Sequence, residues 1–264
     1  MDVVPAPAAV VDRLRAAGCV FAEDEAALLV AAATDDDELG ALVARRVAGE
    51  PLEQLLGWAA FDGLRVALAP GVFVPRVRSE FLAERAAAAA RPGSVVLDLC
   101  CGSGALGAAV AARVPGIELH AADLDPAAVA CARGNLPSAA VHEGDLFEAL
   151  PAALRGRIDV LVSNVPYVPT TAIALMPPEA RDHEPRTALD GGPDGTDLQR
   201  RVAAGARDWL APGGSLVVET SVRQAPLTVA AFEGGGLRAV LVRDDERDAT
   251  VVVGSPCRNR HSPL

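Results

Sequence analysis

Ser94-Val95-Val96-Leu97-Asp98-Leu99-Cys100-Cys101-Gly102-Ser103-Gly104-Ala105-Leu106-Gly107 is the stretch that decides the fold. Its first half reads as a buried strand, and it runs directly into a glycine turn and the start of a helix. Gly102 and Gly104 let the backbone approach a ligand closely, and the N–H groups that open the helix favour an anionic group. A nucleotide-like cofactor is therefore expected. The spacing Gly102-x-Gly104-x-x-Gly107 also fits the dinucleotide fingerprint, with Asp123 about 20 residues further on to hold a ribose hydroxyl.

Asp98 separates the two possible ligands. A carboxylate at the strand end repels a pyrophosphate and attracts the ammonium group of S-adenosylmethionine. Asp123, after the strand 117–122, would then accept both ribose hydroxyls of that donor. The helix start after it is already signalled by Asp125-Pro126, which leaves Asp123 for the ligand. Val141 to Phe147 reads as a third strand ending in an acid, Asp145, placed for the adenine amino group, with Leu146 or Phe147 packing on the ring. On that segment alone, a charged loop with a core Phe reads equally well.

Downstream, the apolar run Ile158 to Ser163 ends in Asn164-Val165-Pro166-Tyr167. The Asn side-chain oxygen can accept one hydrogen of a planar NH2 group, a following main-chain carbonyl can accept the other, and Tyr167 can stack on the amide or base. A turn capping a strand is the alternative for these four residues. Strands near 95–99, 117–122, 158–162 and 215–219 alternate with helices, which implies an open, mainly parallel α/β sheet covered on both faces. Ligands of such sheets sit beyond the carboxyl ends of the central strands. Asp98, Asp123, Asp145 and Asn164 all fall there. The segments 239–243 and 250–253 are expected to close the sheet as a hairpin with an antiparallel strand.

Before this region, apolar spacing in 8–17, 24–33 and 37–48 predicts helices, the third opened by Asp35-Asp36-Asp37. Asp62-Gly63 between 59–61 and 64–68 predicts a hairpin turn, and Pro70-Gly71 a boundary. The expected organisation is a helical domain over 1–58, a hairpin linker over 59–71, a cofactor-binding domain over 72–254 and a disordered tail over 255–264.

These features together resemble the HemK/PrmC family of protein N(5)-glutamine methyltransferases, which have the class I, Rossmann-like fold with a seven-stranded sheet. The likeness runs through Asp98 to Gly107, Asp123, Asp145, Asn164 to Tyr167 and Glu184 to Gly195. It extends to Gly49 to Gly57 and to Val74-Pro75-Arg76 with Glu80, segments absent from most other methyltransferases of this fold. The resemblance implies S-adenosylmethionine as cofactor, held by Phe73, Pro75, Asp98, Cys100, Gly102, Gly104, Asp123, Leu124, Asp145, Leu146 and Asn164. It implies catalysis at Asn164, Val165, Pro166 and Tyr167, and a protein substrate presenting an exposed glutamine, such as the Gly-Gly-Gln loop of a release factor. It also implies substrate docking by the N-terminal helices, which by periodicity alone could equally serve packing or oligomerisation. The expected step is in-line attack of the amide nitrogen on the sulfonium methyl, assisted by orientation and acceptors rather than by a strong base. Phe73 would wall the methyl site, and Glu184 would hold the substrate loop or form an ordinary surface ion pair.

Three positions depart from the family pattern. Val165 replaces the first proline of Asn-Pro-Pro-Tyr, Cys100 replaces the first glycine of the cofactor loop, and Arg78 stands where an acid is usual. A contribution through the carbonyl of residue 165 survives the first change. Cys100 cannot reach positive φ cheaply, and Arg78 implies an altered substrate entrance.

The 264 residues, 51% of them hydrophobic, suffice for one large and one small domain. No stretch has the roughly 18 uninterrupted apolar residues of a membrane helix, and Asp2 with no basic segment before an apolar stretch does not read as a signal peptide. A cytoplasmic protein is expected. The 24 basic residues are all arginine, and 35 acids bring the net charge to −11. That balance, with no basic run, disfavours the alternative of adenine-N6 methylation on nucleic acid, for which a basic face would neutralise phosphates. A nicotinamide-dependent oxidoreductase rests on the glycine spacing alone, and a non-catalytic cofactor-binding module on Val165 and Cys100. Cys19, Cys100, Cys101, Cys131 and Cys257 form no Cys-x-x-Cys pair, so neither a disulfide framework nor a zinc site is expected. Cys19 and Cys131 read as small buried helix residues. Cys100 or Cys101, near a helix N-terminus, is expected to favour thiolate and react with electrophiles.

Overall fold

The computed structural model describes residues 7–256. Four helices come first: α1 (Ala8–Ala16), α2 (Ala22–Ala32), α3 (Asp36–Val47) and the short α4 (Leu52–Leu56). Asp35 caps α3 by accepting from the Glu38 amide at 2.8 Å, while the Glu38 carboxylate accepts from the Thr34 amide and hydroxyl. The apolar stripes of these helices meet in a small core around Leu14, Leu29 and Val43. Arg46 on α3 ties them to the rest of the chain, donating to Glu25 at 2.6 Å and to Glu179 at 2.5 Å.

A two-stranded ribbon follows, β1 (Trp58–Phe61) and β2 (Leu64–Ala67). Asp62 and Gly63 both have positive φ, as the two-residue turn matching strand twist requires, and their Asp-Gly sequence supplies it. A short 3-10 turn over Val77–Ser79 then leads into α5 (Glu80–Ala89).

The remaining elements are β3 (Val95–Leu99), α6 (Ala105–Arg113), β4 (Glu118–Asp123), α7 (Pro126–Asn135), β5 (Ala140–Glu143), β6 (Ile158–Ser163), α8 (Pro178–His183), α9 (Asp197–Trp209), β7 (Leu210–Thr220), α10 (Ala225–Gly234), β8 (Leu237–Asp244) and β9 (Ala249–Pro256). The seven strands from β3 onward form one sheet in the order β5-β4-β3-β6-β7-β9-β8, parallel except for β9. The closing strand thus runs on to Pro256, past the expected boundary at residue 254. Cys257, Arg258 and Arg260 lie outside the described residues.

Alternate residues of the central strands face opposite layers. Leu97, Leu99, Leu161 and Leu216 pack under α9 and α10, whereas Val96, Val160, Val162 and Val217 pack under α5 and α6. From β3 the chain winds outward through β4 and β5, then returns to β6 on the other side of β3. The crevice at that reversal, over the carboxyl ends of β3 and β6, is where such sheets hold ligands.

Candidate active site

A cavity of about 500 Å³ occupies this crevice. Its floor is the loop after β3, held by two acids. Asp98 is fully buried, and its Oδ2 accepts from the Gly107 amide at 2.9 Å, which anchors α6 to the strand. Asp123 closes β4 and accepts from the Gly102 amide at 2.8 Å and the Asp125 amide at 3.0 Å. Asp125 caps α7 through the Ala127 amide, so capping is left to Asp125. Asp123 lines the cavity with lone pairs still free for hydroxyl donors.

Asp98 does not line the cavity as expected of a residue meeting the donor's ammonium group; it lies beneath the loop. Its Oδ1 is buried without a partner. Burial pushes its carboxyl up to about 7, assisted by the nearby Asp123 charge and opposed by the Gly107 amide. Gly104 is likewise outside the cavity wall: a Cβ there would stand 2.9 Å from Leu136 Cδ1, so this glycine serves helix packing.

Cys100 lines the cavity with φ at +61°. A side chain has therefore been accommodated in a left-handed conformation that glycine enters freely, at a cost of roughly 1 kcal/mol. Burial, with Asp123 and Asp98 adding like-charge repulsion for a thiolate, pushes the Cys100 thiol up. The same causes, with Asp98 ahead of Asp123, act on Cys101. The thiolate expected from the nearby helix N-terminus is thus disfavoured by loss of solvation and by the two aspartates. Cys19 also departs from expectation, standing half-buried in the turn after α1 rather than on a helix.

Phe73, Pro75, Gly102, Leu124, Asp145, Leu146 and Asn164 line the cavity. Leu146, at φ +49°, turns towards it, whereas Phe147 stacks on Trp209 with ring centroids 5.8 Å apart and belongs to the core. Asp145 pairs with Arg201 at 2.8 Å on the rim. Phe73 carries the Arg76 guanidinium over its ring.

Asn164, Val165, Pro166 and Tyr167 leave β6 along the cavity wall. Asn164 Nδ2 donates to Ser79 Oγ at 3.2 Å, which orients the amide, and no donor among the described residues takes its Oδ1. The Val165 side chain is 1% exposed and enters the core. Tyr167 O–H donates to Glu219 at 3.1 Å and accepts from Arg78, which also bonds Glu219 at 3.3 Å. Arg78 thus lies on the cavity wall and neutralises a buried carboxylate beside the tyrosine. Burial and the Glu219 charge push the Tyr167 phenol up.

The excursion from Asn164 to Gly195 is sewn to itself and to the core. Val168 bridges Asp190, and the Gly191 amide donates back to Val168 O at 2.9 Å. Gln224 Nε2 donates to Tyr167 O and Asp194 O. Glu184 is buried and accepts from the Val74 amide and Arg76, joining the Val74-Pro75-Arg76 segment to this loop. A surface ion pair is the wrong description of Glu184.

The residues fit S-adenosylmethionine. The cavity wall carries Asp123, Asp125 and Asp145 against Arg76 and Arg78, a balance that suits a cationic ligand over a pyrophosphate, and apolar Leu124 and Leu146 border it. Glu219, Ser79 and Gln224 were missed in the sequence. Glu219 ends an apolar strand run as Asp98 does, a signal that could have found it; Ser79 and Gln224 carry none.

The model of the methyltransferase small domain matches residues 63–176. A release factor glutamine methyltransferase from Geobacter sulfurreducens is 37% identical over 214 residues, 81% of this chain and 75% of its own. The chain belongs to that family. A relative of the same description from Bifidobacterium longum is 35% identical and covers 88% of this chain and 92% of its own. Among solved structures, a methyltransferase from Pyrococcus furiosus superposes with a TM-score of 0.56 at 17% identity, over 80% of this chain and 95% of that one, which shows the fold. The fold is thus the class I methyltransferase fold, and the chain is an S-adenosylmethionine-dependent methyltransferase, which sets aside the oxidoreductase reading.

No helix among the described residues is long and apolar enough to cross a membrane. No group of three or more His, Cys, Asp or Glu among them is placed to hold a metal ion.

Proposed function

We propose that this methyltransferase modifies the side-chain amide nitrogen of a glutamine in a protein, with a peptide chain release factor as the partner. The observation that carries this reading is Asn164, whose amide is oriented by Ser79 at the cavity wall beside Asp123 and the glycine loop. S-adenosylmethionine, when bound, supplies the electrophilic methyl group. Asp123 would accept from the ribose hydroxyls, Leu124 and Leu146 would border the adenine, and Asp98 would act on the loop from beneath. Asn164 Oδ1 and the Val165 carbonyl would accept the two amide hydrogens of the glutamine. Those two acceptors favour charge building on a nitrogen whose lone pair is otherwise delocalised. They also fix its approach, which supplies rate through orientation. Tyr167, held by Arg78 and Glu219, would pack on the amide plane.

The N-terminal helices dock the substrate in this reading, joined to the catalytic loop through Arg46 and Glu179. Incubation with tritium-labelled methyl donor and a release factor, then sequencing of the labelled peptide, tests the proposal. Label on a glutamine side chain is the expected result. Label in nucleic acid with none in protein would replace it with the adenine-N6 reading.

A further inference from the structure

A second cavity, of about 250 Å³, adjoins the first. Arg78 and Tyr167 line both, so the two spaces share a wall. Glu219, Arg223, Asp248 and Thr250 also line the smaller one. Glu219 is only 2% exposed and its Oε1 serves Tyr167 and Arg78, but its Oε2 is buried with no partner. A buried carboxylate oxygen without a donor is costly, and a ligand donor would relieve that cost.

The charges around this space identify the ligand class. Two arginines, Arg78 and Arg223, face two acids, Glu219 and Asp248. A phosphate would meet both acids and an ammonium group both arginines, each at a penalty. A peptide main chain is neutral and alternates N–H donors with carbonyl acceptors, so it can satisfy both kinds of group. We propose that the second cavity is a subsite for the main chain flanking the methylated glutamine, in which Glu219 Oε2 accepts a peptide N–H and Arg223 donates to a peptide carbonyl. The inference rests on the glutamine reading above and adds how the substrate backbone is gripped.

The test is methylation of a synthetic glutamine peptide in which each flanking peptide bond is replaced in turn by an ester, which removes one N–H. Wild type and Glu219→Gln are compared, with binding of the same peptides to the S-adenosylhomocysteine complex measured alongside. At one flanking position the ester should lower the wild-type kcat/KM about tenfold, through KM, and should have little further effect in Glu219→Gln. Each variant is referred to its own all-amide peptide, so a general loss of folded enzyme cancels. Arg223→Ala should raise the peptide KM severalfold at an unchanged KM for S-adenosylmethionine. Ester effects equal in wild type and Glu219→Gln at every position would overturn the subsite while leaving the glutamine reading intact. A wild type that neither binds nor methylates any glutamine peptide would overturn both.

Discussion

Gly191→Ala isolates the geometry of the Asn164–Tyr167 loop, because a single methyl group would be driven against it. A Cβ at Gly191 would stand 2.6 Å from Gly195 O and 2.7 Å from Pro166 O. Both are backbone oxygens, so no side chain can swing aside, and both contacts must open by about 0.5 Å or more to reach ordinary distance, which moves the Pro166 carbonyl as well as Gly195. Overpacking of this kind costs about 1–3 kcal/mol, which for a chain of this size lowers Tm by roughly 2–12 °C. Pro166 lies between the two acceptors assigned to the amide and Tyr167. A shift approaching 1 Å there is enough to cost on the order of 100-fold in turnover. Affinity for S-adenosylmethionine should stay within a few-fold, since the Gly102–Asp123 contact is elsewhere in the cavity. Thermal unfolding, labelled-methyl turnover and calorimetry with the cofactor measure the three effects. Gly134→Ala near the end of α7 is the control: nothing lies within 4 Å of its Cβ position, and a gain of up to about 1 kcal/mol is expected. If Gly191→Ala kept wild-type Tm and turnover, the loop would be more compliant than its hydrogen bonds imply and the reasoning would fail.

Asn164→Ala should abolish methyl transfer and leave cofactor affinity within a few-fold, whereas Asp123→Ala should weaken cofactor binding and release the Gly102 amide; calorimetry with turnover assays separates them, and full turnover in Asn164→Ala would sink the amide clamp. At neutral pH, Cys100 and Cys101 should react with an alkylating reagent more slowly than a free thiol, because burial and two aspartates disfavour the thiolate; faster labelling, read by mass spectrometry, would contradict this. Asp98 takes up its proton more readily folded than unfolded, so it lowers stability as pH rises from about 4 to about 7, with a slope of up to about 1.4 kcal/mol per pH unit. Asp98→Asn should flatten that dependence in denaturant titrations of the cofactor-free protein, and an unchanged slope would show that Asp98 ionises normally.

Where local chemistry is self-sufficient, the sequence could be read directly. Asp62-Gly63 can make its turn without help, Asp125-Pro126 can open a helix without help, and the strand 95–99 running into glycines leaves few alternatives. Depth of burial was not legible, because it depends on what folds over a residue. Asp98 reads the same whether it edges the cavity or lies under it. Cys100 and Cys101 sit near a helix N-terminus, but the surrounding wall decides their ionisation. Glu184 could have held the loop or paired at the surface, and its partners, Val74 and Arg76, are some 110 positions away in the chain. Phe147 could have faced ligand or core, and only the position of Trp209 on α9 settles it. Helix α4 is too short for periodicity to reveal.

Residue 165 meets opposite demands on its two sides. Its carbonyl is offered to the substrate amide in the proposed chemistry, while its side chain fills a space in the protein interior. Any compact apolar residue that holds the peptide plane can meet both, so drift from proline to valine is tolerable there. In the same proposed chemistry Asn164, one position earlier, has no such latitude. Substitution patterns among sister proteins should therefore be set by the packing beneath residue 165 and by the reaction at residue 164.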